Sequence, residues 1–105
     1  MKEKIKVLAR SPGGQWAEKE IRNTLEGLQA EVGGYIEAVT IASNAAVICN
    51  EDGRLQGLPY NCRIMGVDFV GPILIVGSEE DEFTDCPISL AAWNQIWNPG
   101  KGAVL

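Results

Sequence analysis

The chain contains no histidine. That absence removes the commonest general base and the commonest side-chain metal ligand, and with them any Ser-His-Asp triad, Cys-His pair or histidine-ligated zinc. Cysteine is sparse: Cys49, Cys62 and Cys86 are odd in number, widely spaced and without a CxxC pair. Such a set makes neither a zinc ribbon nor a secreted disulfide framework, and its simplest reading is reduced thiols in a cytoplasmic chain. Basic residues are outnumbered, nine Lys and Arg against fourteen Asp and Glu, for a net charge of −5. This balance opposes nonspecific attraction to DNA, RNA or anionic membranes. No apolar run approaches the roughly 18–20 residues of a spanning helix. The basic residues of Met1–Lys6 precede no signal-peptide core either. The expectation is a soluble cytoplasmic protein with no membrane partner.

What is present describes one domain, residues 1–105. Its 105 residues, 46% hydrophobic and 22% charged, have ordinary globular values. Compact domains run to roughly 100–150 residues, and a chain of this size buries on the order of 65% of its extended surface. Lys4–Arg10 has the β-formers of a first strand, broken by Ser11-Pro12-Gly13-Gly14. Gln15–Ile21 returns as its hairpin partner. Asn23 is a helix N-cap with Glu26 reaching back as in a capping box. Leu25, Leu28 and Val32 form an apolar stripe, and Gly33-Gly34 supplies the left-handed stop. Tyr35–Ile41 is a third strand. Ala45–Asn50 and Arg54–Gln56 flank the turn signal Glu51-Asp52-Gly53. Gly57–Arg63 reads as irregular, and Phe69–Val76 as a buried strand bulged at Gly71-Pro72. Glu79–Asp85 is an acidic loop. Asp85 and Pro87 open a last helix over about residues 86–97, with Leu90, Trp93 and Trp97 as its stripe. The sum is an α+β fold: a mainly antiparallel, curved sheet of five to six strands with two helices.

Several polar groupings carry more than one reading. Ser11–Gly14 makes a hairpin turn, and its backbone amides, with Arg10 beside them, could also meet an anion. Glu51 and Asp52 are adjacent carboxylates at a solvated turn tip, where neighbouring side chains diverge; turn chemistry outweighs acid–base chemistry there. Tyr60-Asn61-Cys62-Arg63 is the richest polar cluster. Arginine suits phosphate, asparagine reads an amide or base edge, and tyrosine stacks on a flat ring. A ligand pocket and an ordinary surface loop are both open readings of it. Cys62 lacks a base to make it a nucleophile, so a structural thiol is the simpler role. Trp93 and Trp97 fill a core or an interface, or stack a base. The acidic run is a solvated loop or, less simply, a DNA mimic.

Three segments in order, LEGLQAEVGGYIEAV, ICNEDGRLQGLPYN and FVGPILIVG, resemble the family catalogued as domain of unknown function 3846. The similarity covers a core from Thr24 to Gly77 and continues loosely through the acidic loop into the last helix. Relatives tend to carry a basic residue directly after the asparagine of the LPxN segment; here Cys62 precedes Arg63. The resemblance implies a small protein of phages and mobile elements that works by stoichiometric binding without catalytic residues, metal or cofactor. The expected activity is counter-defence: sequestration of a phosphorylated nucleotide-type immune signal, such as a cyclic ADP-ribose isomer or a cyclic oligonucleotide. In that role Arg10, Arg54 and Arg63 hold phosphates, Tyr60 or Trp16 stacks, and Asn50 or Asn61 orients the ligand. A homo-oligomer is expected, because a domain this small encloses a ligand most easily between subunits. The alternative is a protein-binding inhibitor of a host nuclease or defence enzyme, acting through Trp93 and Trp97 or the acidic loop. An Asp/Glu-driven, metal-dependent phosphodiesterase is a third possibility.

Overall fold

The computed structural model describes residues 3–98 and 102–103. Strands β1 (Lys4–Arg10) and β2 (Ala17–Arg22) form the first hairpin, and α1 (Leu25–Val32) follows. Then come β3 (Ile36–Ala42), β4 (Ala45–Asn50), β5 (Tyr60–Ile64), β6 (Val67–Val70), β7 (Ile73–Glu79) and β8 (Glu82–Thr84). Helix α2 (Leu90–Ile96) runs into the short β9 (Trp97–Asn98), and β10 is Gly102–Ala103. Among the described residues no helix is long and apolar enough to cross a membrane.

The strands build two sheets. The main sheet has the order β2-β1-β7-β4-β3, with β8 pairing β7 beyond the end of β1, and all its pairings are antiparallel. The smaller sheet has the order β6-β5-β10-β9, and in it β5 and β10 run parallel. The architecture is α+β as the sequence predicts, with a six-stranded open main sheet; the second sheet is the unexpected part.

Strand alternation explains the layers. Successive side chains of β1, β4 and β7 point to opposite faces. One set, including Val7, Ala46, Ile48, Leu74 and Val76, packs under Leu28 and Val32 of α1. The other, including Leu8, Val47, Ile73 and Ile75, packs on Ile64 and Phe69 of the small sheet and on Trp93 of α2. β4 is therefore buried at every position. The order is α1, main sheet, then small sheet with α2.

Several local expectations change. Thr24, not Asn23, caps α1: its Oγ1 accepts from Gly27 N at 3.0 Å. Asn23 Nδ2 instead donates to Phe83 O, tying the helix entrance to β8. Arg54–Gln56 is not a strand, because residues 51–57 coil into consecutive turns closed by Leu58 N to Gly53 O. Tyr60–Ile64 is a strand, where irregular chain was expected; it pairs with β6 through a turn at Met65 (φ 51°) and Gly66 (φ 78°). Both turn residues are left-handed, as a tight hairpin requires. Phe69–Val76 is not one bulged strand. It splits at Gly71-Pro72 into β6 and β7, which belong to different sheets. Gly71 has φ 72°, and a Cβ there would lie 2.7 Å from Leu58 Cδ1, so a side chain at the crossing would be strained and would displace Leu58. The acidic run is no open loop: β7 and β8 pair across Glu80 and Asp81, both at positive φ. Ser89, not Asp85, caps α2; Asp85 Oδ1 accepts from Lys6 N.

Candidate functional site

The expected ligand residues fall into three environments. Arg10, on the last residue of β1, points between the sheets. Its Nη1 donates to both Asn61 O and Asn61 Oδ1 at 2.8 Å, and Asn61 Nδ2 returns bonds to Arg10 O and Gly71 O, also at 2.8 Å. The guanidinium carbon lies 4.8 Å from the centroid of the Trp97 ring. Asn61, expected to orient a ligand, is thus bonded between the two sheets through both its carbonyls and its amide nitrogen.

Trp16 and Asn50, both expected at the ligand, are buried. Trp16 meets Trp93 and Trp97 edge to face, with centroids 5.3 and 5.9 Å away, so its ring is a core element with no face for a base. The physical reason is position: it precedes β2 directly and turns in under the second sheet, on the same side as Leu8. Asn50 Oδ1 accepts from Asp52 N, and its Nδ2 reaches Val32 O and Gln56 Oε1. It fastens the end of α1 to the 51–57 turns. Trp93 is fully buried, so the interface role weighed for it is closed.

Arg54, Tyr60 and Arg63 are exposed and converge on one residue. Arg54 Nη2 donates to Asp68 O at 2.7 Å, Tyr60 Oη donates to Asp68 Oδ1 at 2.9 Å, and Arg63 Nε lies 3.2 Å from that oxygen. Partial desolvation of the Tyr60 hydroxyl, then its bond to the Asp68 carboxylate, hold its pKa above the usual tyrosine value. Asp68 also lines a cleft of about 230 Å³ between β3 and β6, together with Glu37, Val39, Glu51, Arg54 and Val67. The Arg54 bond matters for the fold too: it covers an outward carbonyl on the free edge of β6.

Sequence reasoning missed Asp68. The available signal was Met65-Gly66 as a two-residue turn, which sets Arg63 opposite Asp68 on adjacent strands and makes them a cross-strand ion pair. Glu37 and Glu51 of the cleft were likewise unassigned, because their approach to β6 depends on how the sheets stack.

The thiols are quiet. Burial, with Glu37 beside it, pushes Cys49 up to about 11. Burial also pushes Cys62 up to about 11, with Arg10 pulling weakly the other way, and raises Cys86. All three are free. Among the described residues no group of three or more Cys, Asp or Glu side chains is placed to hold a metal ion. The Ser11–Gly14 turn is closed by Gly14 N to Ser11 O at 2.9 Å and borders an open groove of about 510 Å³ that includes Lys19, already paired with Glu31.

Residues 5–96 match the model of a family described as Domain of unknown function (DUF3846). The match takes in the Thr24–Gly77 core and the last helix, extends on the N-terminal side to residue 5, and includes all seven expected ligand residues. No curated protein matches the chain, and no solved structure does.

Proposed function

The chain belongs to the DUF3846 family, and on that premise we propose that it is a non-enzymatic protein that captures a phosphorylated, nucleotide-type small molecule. The observation that carries this reading is the convergence of Arg54, Tyr60 and Arg63 on Asp68 at the rim of the β3–β6 cleft. Asp68 engages one nitrogen of each guanidinium, and a guanidinium carries five N–H donors. The exposed Tyr60 ring offers a face for a base.

Charge limits the ligand. Glu37 and Glu51 line the same cleft and oppose a dense polyphosphate. A ligand of low phosphate charge fits two arginines better, whether isolated phosphodiesters as in a cyclic oligonucleotide or the two charges of one pyrophosphate as in a cyclic ADP-ribose isomer. The setting we propose is counter-defence by a phage, in which binding an immune signal requires no turnover. Protonated thiols at neutral pH support capture over nucleophilic chemistry. The cleft is open to solvent, and a second copy of the chain closing it is the homo-oligomer this reading expects.

A thermal melt with a panel of cyclic nucleotides and ADP-ribose derivatives tests the reading. A ligand at about 100 times its dissociation constant adds roughly 2.7 kcal/mol, and Arg63→Ala or Tyr60→Ala removes the shift. No shift with any member of the panel refutes it.

One observation favours a second reading, binding to a protein. Tyr60, Met65 and Val67 are exposed on the β5–β6 hairpin beside Arg54 and Arg63, and tyrosine and arginine dominate interface hot spots. A stoichiometric host-protein partner lost on Tyr60→Ala, with the ligand panel silent, selects this alternative.

A further inference from the structure

We propose a second binding site, independent of the Asp68 rim: the Arg10 guanidinium and the tryptophans around it form a subsite for one small oxyanion, a carboxylate or phosphate group. The two Arg10 hydrogen bonds both leave from Nη1, toward Asn61. The Nε edge of the guanidinium, which grips oxyanions in bidentate fashion, is left over. Nε is buried and has no acceptor.

Among the described residues no carboxylate neutralises the charge. The described ion pairs are Lys19–Glu31 and Arg63–Asp68, and no described carboxylate pairs with Arg10. The residues of the surrounding core, among them Leu8, Cys62, Ile64 and Ile73, are apolar. The Cys62 thiol, within reach of the Arg10 field, stays protonated at neutral pH. A half-buried cation without a counter-charge is costly to keep.

The tryptophans deepen the imbalance. Trp16 lies 5.3 Å from Trp93 and 5.9 Å from Trp97, and Trp97 lies 4.8 Å from Arg10. The indole N–H groups of all three are buried without an acceptor, as is Arg10 Nε. Buried donors in folded proteins nearly all find partners, so the orphaned Arg10 Nε, with the equally orphaned indole N–H of the Trp97 ring packed on it, marks a place suited to an acceptor. Edge-to-face packing lets ring faces receive some indole N–H groups. The Trp97 ring takes part of the guanidinium charge through its face, but a face offers no in-plane acceptor for Nε. These nitrogens are covered, and Trp97 is the least buried of the three rings. Occupancy of the Nε edge by an oxyanion requires Trp97 to move off the guanidinium.

All three tryptophans of the chain lie in this cluster, so intrinsic fluorescence reports on it alone. The experiment titrates inorganic phosphate and acetate into the full chain at constant ionic strength, with chloride as the control. A saturable emission change with phosphate or acetate and none with chloride is expected. Arg10→Lys, which keeps the charge and loses the fork, weakens binding about tenfold or more. Trp16→Phe, which keeps a ring and removes one N–H, weakens it severalfold; this second variant serves if Arg10→Lys does not fold. A flat titration, or unchanged affinity in a folded variant of either kind, overturns the proposal. Arg63→Ala leaves this response intact while abolishing capture of a nucleotide at the Asp68 rim, so the two sites fail separately.

Discussion

Arg10 and Asn61 hold each other reciprocally: Arg10 Nη1 donates to both oxygens of Asn61, and Asn61 Nδ2 donates back to the Arg10 carbonyl, each at 2.8 Å. One residue lies on the main sheet and the other on the small sheet, so the pair fixes how the two sheets meet. Asn61 is 6% exposed, and its second amide hydrogen satisfies Gly71 O at the chain crossing. A single side chain thus serves both the sheet contact and the turn that separates β6 from β7.

Asn61→Ala removes the side-chain acceptor of Arg10 Nη1, leaving only the backbone carbonyl of residue 61, and takes the amide donor from the Arg10 and Gly71 carbonyls. It is expected to cost about 2–4 kcal/mol. Arg63→Ala, at an exposed ion pair, is expected to change stability by less than about 1 kcal/mol. Urea denaturation of the two variants measures the difference, and equal effects would contradict the assignment.

Trp93 is 1% exposed and sits at the centre of the layer between main sheet and α2. Truncation to alanine removes a whole aromatic from a packed core and should cost about 3–5 kcal/mol. Thermal unfolding of Trp93→Ala and Trp93→Phe compares full with partial loss, and the phenylalanine variant should be clearly the more stable.

Gly77 has no room for a side chain. A Cβ there would lie 2.2 Å from Asp85 O and 2.3 Å from Thr84 Oγ1, and the first of these is backbone. Gly77→Ala must push β8 off β7, so we expect several kcal/mol of destabilisation, on the order of the overpacking penalties of cores or above. Amide hydrogen exchange should show the loss of protection first at Phe83 and Thr84.

The buried thiols set a pH dependence. Cys49 and Cys62 rise from 9.0 to about 11 in the folded chain. Between those values the native state keeps protons that the unfolded chain has lost, so stability falls as pH rises through this window. Below pH 9 their contribution is fully present and constant. Urea melts at pH 8 and pH 10.5 should show the decline, and Cys49→Ala/Cys62→Ala should flatten it. Maleimide should react slowly with the native protein at pH 8 and quickly once urea unfolds it.

Much of the fold was legible along the chain, for reasons that are local. The β1–β2 hairpin followed from β-formers around Pro12 and the glycines, α1 from its stripe and its Gly33 stop, and β4 from its apolar run. The cap was misplaced by one residue because Asn23 and Thr24 both suit it; Asn23 is drawn away by Phe83 O, sixty residues on. The exposed part of the candidate site was legible by residue type, since Arg54, Tyr60 and Arg63 are where a polar reading puts them. Trp16, Asn50 and Asn61 were legible as polar or aromatic groups but not as buried ones.

The absence of histidine, the acidic balance and the local turn and cap chemistry are properties of composition and near neighbours, and they limited the chemistry and the fold class without coordinates. The cleft that Asp68 lines with Glu37 and Val39, the division of Phe69–Val76 between two sheets and the unpartnered Nε edge of Arg10 could not be read that way. Each arises because strands far apart in sequence are brought together by the burial of β4 and β7 on both faces. Side-chain periodicity tells which face of a strand is apolar. It does not tell which layer will cover that face, and the covering layer sets the partners of every polar group beneath it.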